Sequence, residues 1–73
     1  MSHSLKIYSG LEAIKKFERG GWSVDRQKGS HVMLVRAGYL YTLSVPLHRE
    51  LDLGTLKKLI RQAGLTAAEF NNL

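Results

Sequence analysis

Three side chains in this sequence titrate near neutral pH without help from their surroundings: His3, His31 and His48. There is no cysteine, which removes thiol nucleophiles, disulfides and the usual zinc clusters. Three scattered histidines alone make a weak ligand set, so neither a metal site nor a cofactor is expected. No phosphate-binding loop, dinucleotide fingerprint or specific carboxylate pair is present. What remains is proton transfer by histidine. His31 stands directly after Gly29-Ser30, where a turn gives way to an apolar run. His48 follows Val45-Pro46-Leu47, and His3 sits in a polar start to which no role is assigned.

One reaction needs little more than such a histidine. RNA carries its own nucleophile, the 2'-hydroxyl. Metal-free cleavage needs a group to take that proton, one to protonate the leaving oxygen, and positive charge at the phosphate. Ser30 can hydrogen-bond a phosphate, Gly29 lets backbone come close, and Arg26 and Lys28 can supply charge. Each residue also has a plainer reading. His31 can be a half-buried strand residue holding a turn, and Arg26 and Lys28 a solvated hairpin tip. His48 either anchors the segment after Pro46 or faces substrate. Lys57, Lys58 and Arg61 either touch RNA or are the wet face of a helix. Phe17, Trp22, Tyr39 and Tyr41 can stack bases, but their strand and helix periodicity favours a core.

The elements that must carry these residues are legible from pattern. Ser9 with Glu12 three residues on has capping-box spacing, and Leu11, Ala13, Ile14 and Phe17 form an apolar helical stripe that Gly20-Gly21 ends. Trp22 to Gln27 alternates as a half-buried strand, Trp22 and Val24 on one side, Ser23 and Asp25 on the other. Lys28-Gly29-Ser30 reads as a turn, His31 to Arg36 as a second strand, and Ala37-Gly38 as a second turn. Tyr39 to Val45 is the third strand, with Tyr39, Tyr41, Leu43 and Val45 on one face; Pro46 ends it. The segment 47–53 is a connection; the end of strand three need not lie near the start of strand two, and sequence alone leaves open whether His31 and His48 meet. Leu56, Leu59, Ile60 and Ala63 make a second helical stripe from Thr55, with Asp52 as its cap and Gly64 as its stop. Thr66 and Glu69 open a short last helix through Phe70.

Tight turns between strands imply an antiparallel meander, and the two longer helices can cover one of its faces. The expectation is a two-layer α+β domain, α-β-β-β-α, with a three-stranded antiparallel sheet. The same order occurs in double-stranded RNA-binding domains, although order alone establishes no RNA binding. A chain of 73 residues is one domain at most, taken here as 1–73, with a thin core. The net charge of +5 suits a polyanion or an acidic protein partner, and also plain solubility. No apolar run is long enough to span a bilayer, and Met1 to Lys6 lacks the stretch of a signal peptide, so no membrane and a cytoplasmic location are expected.

Three ordered stretches resemble the HicA family of bacterial and archaeal toxins: Gly21 to His31, Val45-Pro46-Leu47-His48, and Leu53 to Leu65. Thr66 to Phe70 is similar to the family's usual ending, so the resemblance covers roughly 9–70. It implies a fold like the double-stranded RNA-binding domain and ribosome-independent cleavage of messenger RNA. It also implies His31 as catalytic residue beside Gly29 and Ser30, and a HicB-type antitoxin that covers the site. Promoter DNA would be met only through the toxin–antitoxin complex. Glu50 and Asp52 depart from the more basic or glycine-rich run common in that loop. Two other functions fit the same residues: a non-catalytic RNA-binding module, and a protein-interaction subunit whose basic surface serves an acidic partner.

Overall fold

The computed structural model describes residues 6–73; His3 lies outside them. In chain order the elements are α1 (Gly10–Arg19), β1 (Ser23–Lys28), β2 (His31–Val35), β3 (Leu43–Pro46), α2 (Leu53–Gln62) and α3 (Ala67–Asn71). The three strands form an antiparallel sheet in the order β1-β2-β3, flanked by helices. This is the expected α+β fold of the double-stranded RNA-binding type.

Each helix begins where a side chain satisfies its unpaired amides. Ser9 Oγ accepts from the Glu12 amide at 3.1 Å, and the Glu12 carboxylate accepts from the Ser9 amide at 2.8 Å. That backbone donor first, then the Ser9 hydroxyl, holds the Glu12 pKa below the ordinary glutamate value. Asp52 caps α2 through the Thr55 amide, so the helix opens at Leu53, two residues before the expected Thr55. Thr66 and Glu69 repeat the reciprocal box at α3. Gly64, at φ +73°, closes α2, and the Leu65 amide turns back to the Ile60 carbonyl.

The core lies between the sheet and the helices. Val32 and Leu34 of β2 and Leu43 and Val45 of β3 meet Phe17, Leu56, Leu59 and Phe70 there, all buried. Phe17 and Phe70 pack with ring centres 5.0 Å apart and planes tilted by 50°. The Lys16 ammonium lies 5.3 and 5.5 Å from the ring centres of Tyr8 and Phe70 and donates to the carbonyls of Phe70, Asn71 and Leu73 at 3.1–3.3 Å. Its desolvation, and to a lesser degree the charges of Arg19 and Lys6, lower its pKa.

Three expectations are corrected. Leu11 is 61% exposed, not part of the buried stripe. The buried face of α1 is Gly10, Ala13, Ile14 and Phe17, and Leu11 stands one helical step, about 100°, off it. β1 is exposed along its whole length, including Val24, while Trp22 is buried just before it. β1 is the outer strand, α2 packs over β3, and α1 reaches β1 without covering it. The third strand is shorter than Tyr39 to Val45. A turn closed by the Tyr39 amide on the Arg36 carbonyl folds Tyr39 against Trp22, ring centres 5.2 Å apart, under the Arg36 guanidinium. Tyr39 and Tyr41 are therefore outside the sheet and about half exposed. The question left open by the sequence is answered for the strands: the end of β3 lies beside the start of β2, because antiparallel pairing sets Pro46 opposite His31.

Candidate active site on the open sheet face

Alternation decides what β2 shows to each side. Val32 and Leu34 point into the core, so His31, Met33 and Val35 point to the other face, which no helix among the described residues covers. His31 is exposed at the first position of the central strand. The β1–β2 connection explains that placement. Gly29 at φ +60°, followed by Ser30 at negative φ, matches a two-residue turn of type II′, which makes Lys28 and His31 direct partners across the hairpin. A β-carbon on Gly29 would meet nothing within 4 Å, so glycine is required here by its dihedral, not by crowding.

The neighbours of His31 depend on an irregularity in β1. Val24 pairs with Leu34, but Met33 pairs with Arg26, so Asp25 is an extra residue in a β-bulge. In a regular strand Asp25 and Gln27 would share the open face, and Arg26 and Lys28 would turn to the helix side. The bulge reverses this, setting Lys28 beside His31 and Arg26 beside Met33. Arg26 Nε lies 4.0 Å from the Asp25 carboxylate, an exposed contact of small energetic weight. From β3, Ser44 pairs with Met33 and Pro46 with His31. Lys28, His31, Met33 and Ser44 together line a shallow depression of about 360 Å³. Its contents are one imidazole, one ammonium, one hydroxyl and an apolar floor. That set suits proton transfer at an anionic substrate.

The other residues singled out from the sequence are distributed around this depression. Gly29 and Ser30 form its outer turn, where the Ser30 carbonyl accepts from the Leu47 amide at 2.8 Å. His48, two residues beyond Pro46, lines a second depression of about 370 Å³ with Ser9, Leu11, Leu47 and Arg49, and its carbonyl accepts from the Gly10 amide. Lys57, Lys58 and Arg61 are exposed on α2. That helix turns Leu56, Leu59 and Ile60 to the core, so these cations stand in the layer on the far side of the sheet from His31. Sequence reading missed Met33 and Ser44. The available signal was alternation: Met33 is two residues from His31, and Ser44 two residues from Pro46.

Among the described residues, no group of three or more His, Asp or Glu side chains is placed to hold a metal ion, and no helix is long and apolar enough to cross a membrane. The class defined by fold and site is a small α+β domain of the double-stranded RNA-binding type with an exposed histidine and lysine on its open sheet face. Residues 10–65 match the family described as the HicA toxin of bacterial toxin–antitoxin systems, and the chain belongs to that family. The match spans the three stretches on which the resemblance was drawn. A comparison with curated proteins returned no match.

Proposed function

We propose that this protein is a toxin that cuts messenger RNA without a metal, with His31 as its catalytic residue, and that a HicB-type antitoxin neutralises it. The observation that carries the reading is the exposed imidazole of His31 paired with Lys28 in a depression of a HicA-family chain. His31 takes the proton of the 2'-hydroxyl as that oxygen attacks phosphorus. The new bond joins the 2'-oxygen to phosphorus, the bond to the 5'-oxygen breaks, and that oxygen is protonated as it leaves. Lys28, on the same face, offsets the charge that builds on the phosphate oxygens. His48 is the auxiliary acid to test, because it stands two residues past Pro46, which pairs opposite His31. Arg26 and the Gly29-Ser30 turn bind the substrate locally. Lys57, Lys58 and Arg61 would engage RNA only where it wraps past the sheet edge. The antitoxin covers the site as a separate protein and carries any promoter DNA contact, and 1–73 acts as one toxin domain.

The test is controlled expression of the parent and His31→Ala, with growth and cellular RNA integrity read together, and cleavage by the purified proteins in chelator. Arrest and fragmentation by the parent alone, at equal abundance, support the reading. A folded, abundant parent that leaves RNA whole sinks it in favour of a non-catalytic RNA-binding module.

A further inference from the structure

The open sheet face carries more than the groups that proton transfer needs. Next to the row Lys28–His31–Pro46 runs a second row, Arg26–Met33–Ser44, one strand repeat of about 7 Å away. Its centre is apolar and half-buried, one flank is a cation, and the other is a half-buried hydroxyl. Met33 and, beyond it, the exposed Val35 make an apolar strip on this face that no described helix covers, a surface on which something flat can rest. Thioether sulfur packs well on aromatic rings. A nucleotide has matching parts: a ring to lie on Met33, ring-edge donors and acceptors for the Ser44 hydroxyl, and a phosphate for Arg26. The pairing sets the two cations Lys28 and Arg26 on this face, with the Asp25 carboxylate of the bulge 4.0 Å from Arg26.

The geometry points to a nucleobase subsite built by Met33 and Ser44, which holds the residue next to the phosphate facing His31 and makes single-stranded RNA the substrate. The inference rests on the reading of His31 as the cleaving group. A base stacked in a duplex cannot lie flat on a sheet; one in a single strand can. Ser44 then discriminates among bases through the one hydrogen bond it donates or accepts, while Met33 holds any base.

Binding tests this without cleavage. Fluorescence anisotropy follows a labelled RNA tetranucleotide on His31→Ala protein, with an abasic residue placed at each position in turn. Met33→Thr is expected to weaken binding of the intact tetranucleotide about 2- to 10-fold, the range of a sulfur–ring contact. That loss should vanish when the abasic residue occupies one particular position. Ser44→Ala is expected to cost a few-fold, with a size that changes with the base at that same position. The subsite is refuted if both losses are the same for every abasic oligonucleotide, or if a duplex of equal length binds as tightly and feels Met33→Thr equally. If Met33→Thr fails to fold, Ser44→Ala, a hydroxyl removal on an outer strand, decides alone. A parent that cuts no RNA would strike the preceding reading and leave these binding results fully readable.

Discussion

Deleting Asp25 and deleting Gln27 shorten β1 by the same single residue, yet they should have opposite consequences. Without Asp25, Arg26 follows Val24 directly, and the pairs Val24 with Leu34, Arg26 with Met33 and Lys28 with His31 all survive in a regular strand. Without Gln27, keeping Lys28 opposite His31 moves Arg26 opposite Val32, on the helix side, and puts Asp25 opposite Met33. Because Asp25 already stands beside Arg26, the charge beside Met33 then changes by one unit, from a cation with its carboxylate neighbour to the carboxylate alone. Taking the spacing between rows, about 7 Å, as the distance from that charge to a phosphate at His31, each unit charge is worth about 0.6 kcal/mol in water. The one-unit change amounts to about 0.6 kcal/mol, roughly a 3-fold loss of RNA affinity at low salt. One fewer phosphate contact also flattens the salt dependence by about 0.7 in the log–log slope, or about 2.6-fold between 50 and 200 mM. The assay is anisotropy of single-stranded RNA on His31→Ala protein carrying either deletion, at both salt concentrations, beside thermal unfolding. Equal losses from the two deletions, or parent-like binding after loss of Gln27 in a folded protein, would refute the argument that the bulge composes the site.

Two further predictions concern how the helices are fastened. Gly10→Ala should destabilise the protein although alanine is the better helix former by about 1 kcal/mol. A β-carbon there would run into the Pro46 carbonyl, and the Gly10 amide already donates to the His48 carbonyl, so α1 cannot back away from β3 without losing that bond. Urea unfolding gives the sign, and a gain in stability would show that the junction is slack. Lys16→Met keeps a side chain of similar length but removes the ammonium from the rings of Tyr8 and Phe70 and from the carbonyls of Phe70, Asn71 and Leu73. The net loss should be about 1 kcal/mol, since removing a desolvated charge offsets part of the lost bonding. Hydrogen exchange should rise first at Phe70, Asn72 and Leu73, and unchanged exchange there would count against the clamp.

What could be read from the chain follows the range of the physics. The two reciprocal caps at Ser9 and Thr66 and the stops at Gly21 and Gly64 involve groups a few residues apart, and they appear where local spacing puts them. The burial of Val32, Leu34, Leu43 and Val45 follows equally from alternation within one strand. The errors at Val24, Tyr39 and Tyr41 share a cause: each assumed that an alternating run continues as covered sheet. Coverage depends on which strands the helices reach, and continuation depends on the turn at Gly38. Those are tertiary facts.

The same division runs through the site. His31 announces itself by its residue type and by the turn before it, whereas its neighbours depend on register. Nothing in Val24-Asp25-Arg26-Gln27-Lys28 says which residue is the extra one. A bulge one position later would present Asp25 beside Met33, with every residue unchanged. Met33 and Ser44 went unnoticed for a related reason, since they become neighbours only when β2 and β3 pair. A surface assembled this way can change its charge by a one-residue insertion or deletion in β1 while the core and the histidine stay in place. Among chains of this fold, substrate preference should therefore follow the register of the outer strand more closely than its composition.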